Sequence, residues 1–181
     1  MTIDEFWNHI KATKRRDLDE HVERLINRLA KLPPDEILDF EHWWQASSAQ
    51  AYRWNLWGAA YLINGGCSDD GFMDFRSWLM LQGQKVFDAA LANPDSLADL
   101  KVEEDEASCE CYPATRAWFQ ATGQDDDYAA LDAARKARHP TTQEELARGA
   151  PEPTGENWDF DDEGEMRKRL PRLARMYLDR D

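Results

Sequence analysis

The feature that most constrains the fold is a helical spacing of apolar residues near the start of the chain. Apolar side chains recur every three or four positions, at Leu18, Val22, Leu25, Ile26, Leu29 and Leu32. This spacing places them on one face of an α-helix that packs against a core. No stretch of the sequence shows the sustained alternation that is typical of a half-buried strand. The pattern therefore predicts an all-α fold.

Capping residues, glycines and prolines divide the sequence into about seven to nine predicted helices. Thr2 and Glu5 form a capping box ahead of the first helix. The dipeptide Gly65-Gly66 is typical of a helix C-terminus. The last helix is predicted over about residues 161–179, with acidic side chains at its start and basic ones at its end, as the helix dipole favours. Pro171 should kink or split this helix.

The chain is long enough to bury a core of its own, and we expect a single-domain irregular helical bundle over residues 1–181. The core of this domain is predicted over about residues 1–140. A short helix is expected at 142–148. Residues 149–157, with two prolines, two glycines and two acidic residues, have the composition of an acidic linker. The C-terminal helix is then expected to pack back on the core.

A formal net charge of −14 disfavours several kinds of partner. Nucleic acids and anionic membrane surfaces both attract clustered Lys and Arg, so neither is expected here. No apolar run approaches the roughly 18 residues of a membrane span, and no signal peptide is visible, so we expect a cytoplasmic protein. The acidity is compatible with a basic protein partner, a bound cation or simple solubility.

Acidic residues are concentrated between Asp95 and Asp127, where ten acidic and only two basic residues occur. Such a stretch is either solvated surface or a docking site for a basic partner. The predicted helix at 17–32 has a charged outer face that carries Arg24, Arg28 and Lys31. We interpret that face as solvated.

The most unusual segment is Asn64-Gly-Gly-Cys-Ser-Asp-Asp-Gly, which places a thiol, a hydroxyl and two carboxylates between two predicted helices. Charged groups beside aromatic side chains are typical of ligand sites. One interpretation is therefore a ligand-binding loop, lined by Trp57, Tyr61, Asn64, Cys67, Ser68, Asp69, Asp70 and Arg76. The other is local structure, in which Ser68 or Asp69 caps the second helix and Arg76 pairs with Asp70 or another carboxylate.

Two functions remain open for this loop. In the first, the chain is a binding or regulatory protein that docks a basic protein partner or a small molecule, since no complete catalytic set is present. In the second, it is a small enzyme in which Asp69 or Asp70 is a general base or a cation ligand. Arg76 then orients an anionic substrate group, and Cys67 is a candidate nucleophile without a nearby histidine base. No dinucleotide fingerprint or phosphate loop is present, so any cofactor is left unidentified.

No metal site is predicted. Cys109 and Cys111, together with the distant Cys67, lack the paired spacing of a zinc site. The acidic run that begins at Asp159 imitates the first half of a calcium loop. It fails as one because Leu170 stands where a bidentate glutamate is required.

One resemblance to a known family is carried by the same central segment. Residues 57–72, Trp-Gly-Ala-Ala-Tyr-Leu-Ile-Asn-Gly-Gly-Cys-Ser-Asp-Asp-Gly-Phe, with Phe-Arg-Ser-Trp-Leu at 75–79, resemble the domain of unknown function 4240 family of bacterial proteins, which is frequent in actinomycetes. The Phe6-Trp7 start, residues 86–97 and the tail from Trp158 are similar to the family as well. The resemblance implies no activity. It points to the same loop and implies that the tail is not an independent domain.

Overall fold

The computed structural model describes residues 1–124, 127–142 and 152–179 of the chain. These residues are mostly helical, and no β-strand occurs among them, since the pairing of Arg53 with Thr154 is an isolated bridge. The all-α prediction is confirmed. Within the same residues, no helix has both the length and the apolar character that a membrane crossing requires. The predicted helix at 142–148 and the first part of the predicted linker, 149–151, lie outside the described residues.

The described part of the chain contains ten complete α-helices and one 3-10 helix, more than the seven to nine predicted. The α-helices are α1 (Ile3–Thr13), α2 (Leu18–Leu29), α3 (Pro34–Gln50), α4 (Trp54–Ile63), α5 (Asp69–Leu81), α6 (Gln84–Ala92), α7 (Pro113–Thr122), α8 (Tyr128–Arg138), α9 (Glu163–Arg169) and α10 (Pro171–Tyr177), with the 3-10 helix at Pro94–Leu100. Residues 140–142 are helical too.

Two residues explain much of the larger helix count. Gly83 has a φ of +96°, a conformation that separates α5 from α6. Pro171 splits the predicted C-terminal helix into α9 and α10, because proline cannot donate the hydrogen bond that a helix interior requires. The capping box at the start of α1 is present, with Thr2 and Glu5 bonding each other's backbone N–H groups.

The chain forms two compact units, and each is built from two separate stretches of sequence. Unit 1 comprises residues 1–47 and 111–151, and unit 2 comprises residues 48–110 and 152–181. The single-domain organisation expected for residues 1–181 stays a prediction.

The core of unit 1 lies where α2 packs against α1 and α7. The apolar stripe that defines α2 in the sequence is buried as expected: Leu25, Ile26 and Leu29 are fully inaccessible to solvent. Phe6 of α1 packs against Phe40 of α3, with ring centroids 4.8 Å apart. Burial of such side chains provides most of the free energy that holds helices together.

The core of unit 2 is aromatic. Trp57 of α4 stacks on Phe72 of α5 with ring centroids 4.9 Å apart, and Trp54 stacks on the other side of Trp57 at 5.4 Å. Gly58 faces the ring of Trp158 so closely that a Cβ at this position would lie 2.3 Å from ring carbon Cζ2. A glycine inside α4 is therefore required by this contact, although glycine is a poor helix former.

The C-terminal helices also belong to unit 2, where α10 contacts the 3-10 helix and α4. The buried carboxylate of Asp95 accepts hydrogen bonds from the backbone N–H groups of Arg172 and Leu173, at 3.0 and 2.9 Å. Pro171 occupies the first position of α10. Asp95 therefore caps a helix that lies almost eighty residues away in the sequence, and it complements the positive end of that helix.

Candidate functional site

The loop between α4 and α5 begins with a glycine-dependent helix end. Gly65 adopts a φ of +64°, and the N–H of Gly66 donates to the carbonyl of Tyr61 at 2.9 Å. This is the hydrogen bond of a Schellman motif, and it confirms the predicted helix C-terminus. The loop ends at Ser68, whose hydroxyl oxygen accepts the N–H of Gly71 and caps α5. Of the two predicted caps, Ser68 rather than Asp69 is the one used.

Two of the predicted site residues hold this loop in place. The Asn64 side chain forms a pair of hydrogen bonds with the backbone of Ala107, donating to its carbonyl and accepting its N–H, each at 3.1 Å. The indole N–H of Trp57 donates to the carbonyl of Cys67 at 2.9 Å. Both side chains therefore satisfy backbone groups, which is a structural role.

Arg76 forms no carboxylate pair, with Asp70 or any other residue that the structure describes, although the sequence suggested one. Its guanidinium donates to the backbone carbonyls of Ser48 and Phe72, at 3.0 and 3.3 Å. It also lies over the ring of Tyr52, 4.8 Å from the ring centroid. Burial lowers the pKa of Arg76 from its ordinary value. Asp70 is six positions away on the same helix and therefore on a different face.

Cys67 is a poorly ionised thiol. Burial raises its pKa to about 12, and the nearby Asp74 charge acts in the same direction. The Sγ atom lies 3.7 Å from the carbonyl oxygen of Ser68. Because the thiolate is the nucleophile, this environment opposes nucleophilic chemistry at neutral pH.

The remaining predicted residues lie at the surface. Asp69 and Asp70 are exposed in the first turn of α5, where the positive end of the helix favours acidic side chains. Neither forms an ion pair with any residue that the structure describes. The hydroxyl of Tyr61 donates to Asp161 at 2.5 Å, and this hydrogen bond raises the pKa of Tyr61. The loop therefore separates into a buried structural part and an exposed acidic part.

The exposed part continues onto the acidic segment 101–110. This segment is fixed beside the loop and α5 because the N–H of Asp105 donates to Ile63 and the N–H of Cys109 donates to Asp74, each at 3.2 Å. The pKa of the Asp74 carboxyl is raised by burial and by the charges of Glu110 and Asp70. We call the surface formed by Asp69, Asp70, Asp74 and Glu110 the acidic face.

An exposed apolar side chain lies beside two of these carboxylates. Met73 is 40% exposed, which makes it one of the few large apolar side chains that the described residues leave open to solvent. It is three residues after Asp70 and four after Asp69, so it lies on the same side of α5 as both. Two carboxylates of the acidic face thus lie beside a flexible, polarizable contact group.

Unit 1 contains a different charged cluster, which the sequence did not reveal. The buried carboxylate of Asp39 accepts hydrogen bonds from the Met1 ammonium at 2.6 Å, from Arg138 at 2.8 and 2.9 Å, and from His139 Nε2 at 3.0 Å. Burial alone would raise the pKa of Asp39, but these hydrogen bonds hold it well below its usual range. The available signal was an aspartate between Leu38 and Phe40, inside a run of buried α3 positions.

A second ion pair in unit 1 also joins α3 to α8. Arg135 donates to Glu41 through Nε at 2.8 Å and to the Thr115 hydroxyl at 3.0 Å. These charges are paired and largely buried, as buried charges in native proteins must be. The cluster therefore has a structural role. Among the described residues, no group of three or more His, Cys, Asp or Glu side chains is placed to hold a metal ion.

Comparison with known proteins gives a family for the chain. The model of the family described as "Protein of unknown function (DUF4240)" matches residues 1–121. Searches of curated proteins and of solved structures returned no match. The matched region contains α1 to α6, the loop between α4 and α5, and the complete acidic face. Because the match covers two thirds of its length, the chain belongs to the DUF4240 family.

Proposed function

We propose that this protein binds a basic partner protein on the acidic face of unit 2. The observation that supports the proposal is a group of carboxylates without counter-charges. No Lys or Arg among the described residues forms an ion pair with Asp69, Asp70, Asp74 or Glu110. Mutual repulsion within the group contributes to the raised pKa of Asp74. A partner that brings cationic side chains would relieve this repulsion.

The surroundings of the acidic face support a protein partner. Met73 offers an exposed apolar contact on the same side of α5 as Asp69 and Asp70. Protein interfaces commonly combine an apolar centre with a polar rim, and methionine is enriched in them. An amphipathic segment with one apolar side chain among several Lys or Arg residues has the complementary chemistry.

The contacts within the loop favour binding over catalysis. Asn64 and Arg76 use their hydrogen-bonding groups on backbone partners. Cys67 carries a proton at neutral pH because its pKa is about 12. The enzyme interpretation assigns substrate orientation to Arg76 and nucleophilic attack to Cys67, and the surroundings of these two groups disfavour both roles. Because Asn64 and Arg76 already bind backbone groups, a protein partner is also favoured over a small-molecule ligand.

The proposal can be tested with a defined probe, a short amphipathic peptide of lysine and leucine carrying a fluorophore. Its affinity for the whole protein is measured by anisotropy at low and physiological salt. We expect the double variant Asp70→Asn, Glu110→Gln to weaken binding by about fivefold or more, since it removes two rim charges. Binding by the unmodified protein should also weaken as salt rises.

The matched control is Asp88→Asn, Glu152→Gln, which removes two exposed carboxylates from the same unit but outside the acidic face. It should leave the affinity within about twofold of the unmodified protein. Equal weakening by the two double variants would show that the peptide responds to net charge alone and would contradict the proposal. Absence of binding by the unmodified protein would contradict it as well.

A further inference from the structure

We propose that a basic groove in unit 1 binds a small anion that carries two or more phosphate groups. The groove lies between α1 and α2 and has a volume of about 490 Å³. Its lining includes His9 of α1, together with Arg24, Asn27, Arg28 and Lys31 of α2 and the turn that follows. This is a different unit from the one that carries the acidic face, and the inference does not rest on the proposed partner.

The groove concentrates positive charge on a strongly acidic protein. Arg24, Arg28 and Lys31 follow one another at intervals of four and three residues, so they lie on one side of the helix and span about 10 Å along its axis. No acidic residue lines the groove, although the chain as a whole carries a net charge of −14. Three cations in one groove are therefore a local feature that composition does not explain.

Little within the described part of the chain neutralises these cations. Arg24 lies 3.4 Å from Glu20, in a pair whose side chains are both about half exposed. Such a pair contributes little and can be displaced by a ligand. Neither Arg28 nor Lys31 forms an ion pair with any residue in the described ranges. Two of the three charges are therefore available to an anion.

A histidine positions one of the arginines. The Nε–H of Arg28 donates to Nδ1 of His9 at 3.0 Å. Burial, together with the charge of Arg28, lowers the pKa of His9 and outweighs the opposite effect of Glu36 and Glu5, so that the ring remains an acceptor. The two terminal nitrogens of Arg28 have no acceptor among the described residues. Their fork geometry matches two oxygens of a phosphate group.

Size and charge favour a small polyphosphate over a single ion or a long polymer. The volume lies within the range of small-molecule sites, roughly 300–1000 Å³. A row of cations about 10 Å long matches several phosphates in succession better than one. The overall negative charge repels a long polyanion, whereas a short one lies within about a Debye length, ~8 Å, of the groove cations. A nucleoside triphosphate and inorganic triphosphate share this chemistry.

The test is isothermal titration of the whole protein with inorganic triphosphate, inorganic phosphate and adenosine triphosphate. Triphosphate should bind at least about tenfold more tightly than phosphate, because it reaches more than one cation. Tighter binding of adenosine triphosphate than of triphosphate would identify a nucleotide as the ligand. Equal binding would identify the polyphosphate chain alone.

Two double variants distinguish binding in the groove from a general effect of net charge. Arg28→Gln, Lys31→Gln removes two groove cations, and Lys11→Gln, Lys136→Gln removes two exposed cations of unit 1 that do not line the groove. All four side chains are exposed, so both proteins should fold. We expect the groove variant to weaken triphosphate binding by about tenfold or more and the control by less than about twofold.

Three results would overturn the inference. The first is no binding of any of the three anions by the unmodified protein. The second is equal weakening by the groove variant and the control. The third is tighter binding of an acidic peptide or a single-stranded oligonucleotide than of triphosphate, lost in the groove variant, because the groove would then serve a macromolecule.

Discussion

Asp39 in unit 1 and Asp74 in unit 2 are the same residue type on two helices, yet the pKa values of their carboxyl groups shift in opposite directions. Burial raises the pKa at both positions. At Asp39, hydrogen bonds from Arg138, the Met1 ammonium and His139 overcome that effect. At Asp74 the charged neighbours are Glu110 and Asp70, which add to it.

The difference shows what distinguishes a structural carboxylate from an available one. Asp39 has its cations within the same unit, so its charge contributes to folding and offers nothing to a partner. The acidic face has no cation of its own among the described residues, and the charges of Glu110 and Asp70 add to the raised pKa of Asp74. In a chain of net charge −14, acidic residues are common. Whether a carboxylate has a cationic partner therefore says more about its role than the fact that it is there.

The largest expected effect is on stability and concerns Asp39, the buried carboxylate of the pair. Asp39→Ala should lower the free energy of unfolding by about 4 kcal/mol, because it leaves the buried Met1 ammonium without its counter-charge. Chemical denaturation measures the change. Asp35→Ala is the control on the same helix, since Asp35 is 73% exposed and lies 4.0 Å from Arg138. A loss below about 0.5 kcal/mol is expected there, and an equal loss in both variants would contradict the structural role of Asp39.

An effect of similar size is expected for the reactivity of Cys67. With a pKa of about 12 instead of 9.0, the folded protein holds roughly a thousandfold less thiolate at this position near neutral pH. Alkylation by iodoacetamide, followed by peptide mass spectrometry, should therefore be far slower for Cys67 than for the same peptide in denaturant. Equal rates in the two conditions would restore Cys67 as a candidate nucleophile.

A smaller effect on stability is expected at the contact between α4 and Trp158. Gly58→Ala should destabilise the protein by about 1–3 kcal/mol, because the new Cβ would overlap the ring of Trp158. Gly71→Ala is the matched control in α5. There the nearest atoms, Ser68 Oγ and Cys67 Sγ, lie at 3.5 and 3.6 Å, which is ordinary contact. No loss of stability in the Gly58 variant would show that Trp158 does not pack tightly on α4.

The smallest effect concerns the acidic face itself. Asp70 and Asp74 are like charges four residues apart on a helix, so Asp74→Asn should raise the free energy of unfolding by about 0.3 kcal/mol at neutral pH. Denaturation curves of variant and unmodified protein, recorded side by side, measure this difference. A decrease in stability would mean that Asp74 has a cationic partner after all.

The two aspartates should also differ in pH dependence, and the sign follows from their shifts. Asp74 has a raised pKa in the folded state, so the advantage of Asp74→Asn should shrink as the pH falls towards 3.8 and the wild-type carboxyl becomes protonated. Asp39 has a lowered pKa, so its stabilising contribution is complete above 3.8 and is lost only below it. The effect of Asp39→Ala should therefore stay constant from neutral pH down to about 4.

Local signals in the sequence predicted much of the fold. The α2 stripe, the Thr2 capping box and the helix end at Gly65 each depend on residues within a few positions of one another. The pairing of Asp39 with Arg138 and that of Asp95 with Arg172 could not be predicted in this way, because the partners lie 99 and 77 residues apart in the sequence. An isolated sequence specifies that a buried carboxylate needs partners, but it does not specify which ones.

The candidate site shows the same limit. The unusual composition of residues 64–71 located the loop, and the pattern allowed either a ligand site or local structure. The choice between these two roles depends, for each side chain, on contacts with distant parts of the chain. Asn64, for example, pairs with Ala107, which lies 43 residues later. The basic groove was missed for the opposite reason. Its residues were visible as a helix face, but a neutral His9 beside Arg28 depends on how α1 packs against α2.

The interleaving of the two units in the sequence has a consequence for how the protein is made. Unit 1 needs Arg138 to complete its Asp39 cluster, and unit 2 needs α10 to cover Asp95 and α4. A nascent chain emerging from the ribosome can therefore close neither unit while its first hundred residues are outside. During that interval the aromatic surfaces around Trp57 and Phe72 stay uncovered and prone to aggregation. The yield of folded protein should therefore depend on completion of the chain as well as on its final stability.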